Sequence, residues 1–429
     1  MIMSCELLEG WVSKTLSADG VFGSCGAHPV VFETERDPRH TSRTKQVQCL
    51  SSLMVSGYLR MAGREQFAPV RVTIKLKPTI ELLRTVLKSD RQFHNEMHVY
   101  KTVVPTLLEH LPDGVDGPSL PTFVFGKNDG GSGHNEDMIV LEDPRALGYA
   151  VLAEREHKHL DYDHLAVAIT TLGRFHGMSF TVKQKNPVVF RKLVGNLREI
   201  QWDEDGWLVK NNGLKSLGMR GAKPLMELEQ YQDGKLKGFL AMIREADRNL
   251  KLAMTPKEPF AVICHGDFNK CNIMFKHDEY GKPYDAMITE FTAVRYGSPG
   301  LDLSYFLYKN ATQEVQNERW DDLLAVYLDA VMSVLPEDVR APTSGQLHRE
   351  LRLHALYGYA HLSFAVPNMI NENPQELLEV DKLTLQNQLA NRMEAADEKI
   401  TAILSATVRH IIDRGYAEQY EFGNPIGFM

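Results

Sequence analysis

The stretch from Phe260 to Glu290 constrains this chain more than any other. Phe260 to Cys264 is an apolar run of the length of a buried strand, and it delivers His265-Gly266-Asp267 into a tight loop. Asn272 follows five residues after Asp267. Ile273 to Phe275 reads as a second short strand, and Asp278 to Pro283 supplies turn chemistry. Ala286 to Thr289 then returns as a third strand that presents Glu290. A hairpin of this kind brings Asp267, Asn272 and Glu290 to one end of a sheet. Two carboxylates and an amide oxygen gathered there combine oxygen ligands with a candidate base, the arrangement that Mg²⁺-assisted phosphoryl transfer needs.

At 429 residues the chain has room for two domains or one large two-lobed unit. Its 43% hydrophobic and 24% charged residues are those of an ordinary globular protein, and a net charge of −8 argues against a nucleic-acid or anionic-membrane partner. No apolar run approaches the roughly 20 residues of a spanning helix. The opening MIMSCELLEGWVSKTL carries glutamates where a secretory signal needs a basic start and an unbroken apolar core. Cys5, Cys25, Cys49, Cys264 and Cys271 show no CxxC spacing and leave one over, which fits a reducing, cytoplasmic setting. The histidines lack ligand spacing such as HExxH, which argues against zinc.

Residues 4–16 have the periodicity of a short amphipathic helix, and Gly20 to Lys45 reads as an irregular, glycine- and charge-rich segment. Gly20, Gly23 and Gly26 are evenly spaced, a weak phosphate-binding signal because no strand precedes them. Cys49 to Met61 and Val70 to Leu76 read as strands. In the second, Val70, Val72, Ile74 and Leu76 share one face and Arg71, Thr73 and Lys75 the other, so Lys75 points away from the apolar layer. Asp90 is placed to cap a helix in which Phe93, Met97 and Tyr100 recur at helical spacing and Glu96 flanks the buried face. A carboxylate there wants a cation, and Lys75 is the natural candidate; the alternative is two solvated charges on separate faces. DGGSGHN at 129–135 is a hairpin loop, and the strand Met138 to Leu141 runs into Glu142-Asp143-Pro144.

Beyond that junction the pattern is helical. Asp161 or Asp163 caps a helix with Leu165, Ile169, Leu172 and His176 on one face, where His176 reads as a hydrogen-bonded core histidine rather than a ligand. Leu236 to Leu250 marks one helix, Trp320 to Val331 another. Leu353 to Phe364 is a third, ended by Pro367, and Leu389 to Ile411 is a long final one.

Lys75 in IKLKP, Glu96 in FHNEMHVY and VLEDPRALGY at 140–149 are joined by LGRFHGMS at 172–179, HGDFNKCNIMF at 265–275 and RYGSPGLDLSYFL at 295–307. In this order the motifs resemble the small-molecule branch of the kinase-like superfamily, with choline and aminoglycoside kinases, and within it the ecdysteroid-kinase-like (CHK kinase-like) family. The resemblance implies an α+β, bilobal protein-kinase-like fold: an N-terminal helix and irregular segment over 1–45, a strand-rich N-lobe over 46–143, and a mostly helical C-lobe over 144–429 carrying the hairpin 260–290. It implies ATP-dependent transfer to a hydroxyl of a small, steroid-like acceptor, with ATP and Mg²⁺. Asp267 would take or orient the acceptor proton, and Asn272 and Glu290 would ligate the metal. Lys75, held by Glu96, would contact the phosphates, and the backbone of Leu141, Glu142 and Asp143 would meet the adenine. His265 and Asp302 would brace the loop. The acceptor would lie among the C-terminal helices, between His176, Tyr357, His361 and Phe364, although each of these also fits a core role.

Three positions depart from the family pattern. Glu290-Phe291-Thr292 stands where the resemblance implies Asp-Phe-Gln, and Glu places its oxygens about 1–1.5 Å further out. Val47, Gln48 and Cys49 stand where a small residue would approach phosphate, with Ser51 and Ser52 as the nearest hydroxyls. Asn269 replaces an aromatic residue. These departures keep a second expectation open, a catalytically impaired pseudokinase that binds nucleotide, ligand or a protein.

Overall fold

The computed structural model describes residues 5–18, 29–37, 40–44, 46–49, 52–63, 68–78, 81–129, 137–152, 159–201, 213–232, 234–370 and 398–417. The glycine triplet at 20–26, most of the loop at 129–135, Ser51, and Leu389 to Ala396 lie outside them. The chain divides into two compact units, Met1–Pro105 with Leu120–Ala150, and Thr106–Ser119 with Val151–Met429. The first is built on an antiparallel sheet and the second is mostly helical, a mixed α+β architecture.

In the first unit the sheet order is Val30–Thr34, Ser52–Met61, Val70–Leu76, Met138–Glu142, Phe123–Lys127, with Gln46–Cys49 pairing the start of Ser52–Met61. Val30–Thr34 corrects the expectation of an irregular segment. Its VVFET alternates buried and exposed residues as a half-buried strand does, a pattern hidden by the glycines and charges around it. One face of the sheet, with Val55, Val72, Ile74 and Val140, packs against Leu8, Val12 and Leu16 of the helix Cys5–Ala18. The same helix closes the sheet edge. Glu9 accepts the N–H of Thr34 at 2.9 Å, Ser13 that of Phe32 at 2.9 Å, and Ser17 that of Val30 at 2.9 Å. Side chains at i, i+4 and i+8 thus stand in for a neighbouring strand and satisfy donors that would otherwise template edge pairing.

Strand parity puts Lys75 on the opposite face, towards the helix Ser89–His98. Asp90 does not cap that helix. It starts after Lys88, whose backbone is left-handed (φ 53°) and which offers no side-chain cap, while Asp90 accepts from Lys77 Nζ at 2.5 Å. Lys77 also donates to Asp137 at 2.7 Å and to Asn128. An ammonium with three donors competes better for the Asp90 carboxylate than the helix start does.

In the second unit Asp161 caps the helix Tyr162–Lys185 by accepting the N–H of His164. The helices Gly213–Met226, Pro299–Asn310, Trp320–Met332, Ser344–Ile370 and Glu398–Asp413 are its other larger elements among the described residues. Two expectations change. Leu236 to Leu250 is two helices, Lys235–Arg244 and Ala246–Met254, broken at Glu245, and the helix begun near Leu353 runs through Pro367 to Ile370. A proline removes one ladder bond, which a helix of 27 residues survives. Pro299–Asn310 lies against Ser344–Ile370 at glycine distance: a Cβ on Gly358 would stand 2.5 Å from the carbonyl carbon and oxygen of Ser304. Among the described residues no helix is long and apolar enough to cross a membrane.

Candidate active site

The strand Val262–Cys264 is fully buried and pairs with Arg295–Gly297, and the chain turns sharply after it. Gly266 makes the turn at φ +82°, and a Cβ there would meet the carbonyl oxygen of Ala293 at 1.9 Å, so only glycine fits. Asp302, 1% exposed, receives the loop. Its Oδ2 accepts the N–H of His265 at 2.6 Å and its Oδ1 that of Gly266 at 2.9 Å. His176 Nε2 lies 3.2 Å from Oδ2, and His176 Nδ1 lies 2.9 Å from the hydroxyl of Tyr327. Burial alone would push the Asp302 carboxyl up. The hydrogen bond of His176 and the Gly266 N–H hold it below the usual carboxylate range. His265 spans the loop, with Nε2 2.8 Å from the carbonyl of Thr289 and Nδ1 accepting the N–H of Asp267 at 3.2 Å.

The Asp267 carboxylate is then fixed from three sides. Oδ1 accepts from Asn269 Nδ2 at 2.9 Å and from the Tyr305 hydroxyl at 3.0 Å, and Oδ2 accepts from Asn272 Nδ2 at 2.9 Å. Asn269 also accepts the N–H of Cys271 at 3.0 Å, which caps the tight turn Lys270–Asn272. Asn272 gives a second amide hydrogen to the Asp267 carbonyl at 2.8 Å, which leaves its amide oxygen as its remaining polar atom. The expected hairpin is Ile273–His277 with Pro283–Ile288, and Thr289 donates its N–H to the Asn272 carbonyl at 2.9 Å. Glu290, the next residue, sits in the left-handed region at φ 66°, ψ 55°. That conformation costs a long side chain about 1–2 kcal/mol, and Asp or Asn adopt it more readily.

One buried cluster, His176, Cys264 and Asp302, brings ligand atoms within 4.8 Å of one another. Its chemistry is not that of a metal centre. Both Asp302 oxygens already hold N–H groups, and burial, then the charge of Asp302, keeps the Cys264 thiol protonated while it donates to Ser298 at 3.2 Å. His176 is accordingly a core histidine, separate in its bonding from Tyr357 and His361. Those two rings lie 4.5 Å apart, with His361 4.6 Å from Tyr305. Burial, followed by the charges of Arg295 and Lys309, pushes the His361 imidazole down to about 3. The side chain of Phe364 is outside the described residues.

In the first unit Lys75 Nζ lies 2.7 Å from Glu96 Oε2, with both side chains buried. Two solvated charges are therefore ruled out. At the end of Met138–Glu142, the N–H groups of Glu142 and Asp143 donate to Thr122 and Arg71 at 2.9 and 3.0 Å. The Asp143 carboxylate is held by Arg71 at 3.1 Å and by Arg145 at 2.6 Å, and it caps the turn Pro144–Leu147.

A model of the ecdysteroid kinase-like family matches residues 50–337. The chain belongs to that family. No curated protein matches it. Among solved structures, this ecdysteroid kinase-like chain is similar to the amicoumacin kinase hAmiN in complex with AMP-PNP, Ca²⁺ and Ami. The identity is 12%, over 88% of this chain and 90% of that chain, at a TM-score of 0.40. In this ecdysteroid kinase-like chain Tyr305, Lys309 and Lys77 were not singled out from the sequence, and Asn269 stood there only as a departure from the family pattern. A signal existed for the first two: Asp302, Tyr305 and Lys309 recur at i, i+3 and i+7 on one helix face within and just beyond RYGSPGLDLSYFL.

Proposed function

We propose that this kinase-like chain is an ATP-dependent phosphotransferase acting on a hydroxyl of a small, steroid-like acceptor. One observation carries the reading: the Asp267 carboxylate is held by Asn269, Asn272 and Tyr305, and Asn272 keeps an amide oxygen to offer. Asp267 would take the hydroxyl proton, a step for which a carboxylate fixed in orientation is suited. Asn272 and Glu290 would hold Mg²⁺, which takes few protein oxygens because it keeps waters and phosphate oxygens as its other ligands. That ion neutralises phosphate charge when bound. In the first unit Lys75, oriented by Glu96, would hold phosphate as a point charge, and adenine would lie along Leu141 to Asp143. With the N–H groups of Glu142 and Asp143 already taken, that contact rests on apolar surface such as Leu141. The net charge of −8 and the absence of CxxC spacing among the five cysteines support a small-molecule partner and a reducing, cytoplasmic compartment. Purified protein given ATP, Mg²⁺ or Mn²⁺ and a panel of hydroxylated sterols is expected to release ADP and phosphorylated product, and Asp267→Asn to abolish it. Absence of turnover with every metal and acceptor sinks the reading.

The impaired alternative is favoured by Glu290, a longer side chain in a left-handed backbone at the metal position. Calorimetry separates the two. Metal-dependent ATP binding together with a rate increase in Glu290→Asp supports catalysis; ATP binding that ignores metal supports the pseudokinase.

A further inference from the structure

We propose that Tyr305, backed by Lys309, is a positioning residue for Asp267: it fills Oδ1 and leaves Oδ2 as the atom that takes the acceptor proton. The inference rests on the phosphotransferase reading above and specifies its base at the level of one oxygen. A carboxylate oxygen offers two in-plane acceptor sites. Oδ1 uses both, for Asn269 Nδ2 at 2.9 Å and the Tyr305 hydroxyl at 3.0 Å, whereas Oδ2 holds Asn272 Nδ2 at 2.9 Å and keeps one.

The direction of the Tyr305 hydrogen follows from its other neighbour. Lys309 Nζ lies 2.8 Å from the Tyr305 oxygen and can only donate, so the phenol accepts there and turns its own hydrogen to Asp267. Tyr305 is 4% exposed, and burial, then the negative charge of Asp267, keeps its phenol protonated far above neutrality. The result is a fixed chain, ammonium to phenol to carboxylate, along i and i+4 of the helix Pro299–Asn310. In the reaction the acceptor O–H bond breaks and its proton passes to Oδ2. The hydroxyl oxygen bonds to the γ-phosphorus of a nucleoside triphosphate, the bond from that phosphorus to the bridging oxygen breaks, and the nucleoside diphosphate leaves with the electron pair. Tyr305 gives up no proton in this sequence.

Carboxyl-¹³C labelling of aspartate reports on Asp267 without requiring turnover, its signal identified by its loss in Asp267→Asn. Tyr305→Phe is expected to move that signal, because a hydrogen bond to Oδ1 is removed. Lys309→Met is expected to move it the same way by less. With an acceptor that turns over, Tyr305→Phe lowers kcat by about ten- to a hundredfold while the KM for ATP stays within about twofold, since the binding groups are untouched. An unmoved Asp267 signal in folded Tyr305→Phe, or an unchanged kcat, overturns the proposal. If Tyr305→Phe does not fold, Lys309→Met decides alone on the same signal. A moved signal in a protein that phosphorylates nothing upholds the arrangement and refutes the phosphotransferase reading instead.

Discussion

Asp302 accepts the backbone N–H of Gly266 at 2.9 Å while its other oxygen takes that of His265 at 2.6 Å. Two consecutive donors on one buried carboxylate set the plane of the loop that carries Asp267. Asp302→Asn keeps the shape but turns an NH₂ towards one of those donors. The expected cost is about 3 kcal/mol in denaturant unfolding, the scale of a buried, unsatisfied donor beside a lost charge. Asp302→Ala should fare no better, whereas a substitution at the exposed Tyr284 should be neutral.

The buried pair Lys75 and Glu96 makes a second test, confined to the first unit. Lys75→Met strands a buried carboxylate and should cost about 3–5 kcal/mol. The double variant Lys75→Met with Glu96→Met should recover most of that stability and, under the proposed function, should still fail to bind ATP. Urea melts read the first effect and ATP titration the second. If stability stays low in the double variant, the pair is not the cause of the loss.

Glu290 stores backbone strain that a shorter carboxylate would release. Glu290→Asp is expected to raise unfolding free energy by about 0.5 kcal/mol, because aspartate tolerates the left-handed region better. The same variant should raise any Mg²⁺-dependent rate, and a loss of stability on this change would contradict the strain argument.

The acid side of the stability profile should begin earlier than carboxylates alone dictate. Burial, then the charge of Arg414, pushes His410 down to about 4, and burial pushes His361 down to about 3. Both are neutral in the fold and have ordinary values near 6.5 when unfolded, so the unfolded chain binds more protons below that point. Their contribution is complete above pH 6.5 and is lost as pH falls towards 4 and 3. The slope is about 1.4 kcal/mol per pH unit for each fully protonating group. Chemical denaturation between pH 7 and 4 should show it, and His410→Asn should remove about one proton from the slope.

Much of this was legible in the chain. Strand parity at Lys75 and helical spacing at Glu96 foretold their pairing, and HGDFNKCN with its following hairpin foretold the neighbourhood of Asp267, Asn272 and Glu290. What escaped has a common cause: partners chosen by tertiary contact. Asp90 reads as a helix cap until Lys77 claims it. Asn269 reads as a missing aromatic until its amide is seen on Asp267. Val30–Thr34 reads as loop because glycines and charges surround its short alternation, and the edge that Glu9, Ser13 and Ser17 complete shows only in the fold.

The contact between Gly358 and the Ser304 carbonyl reaches further than its chemistry suggests. The helix bearing Ser304 also bears Asp302, Tyr305 and Lys309, so its seat determines where the Asp267 carboxylate stands. A natural variant with alanine at 358 would add one methyl group to a residue with no side chain to lose, and the displacement would surface at Asp267. Damaging substitutions in this chain are therefore to be sought in the silent backs of helices as well as among the side chains that hydrogen-bond Asp267.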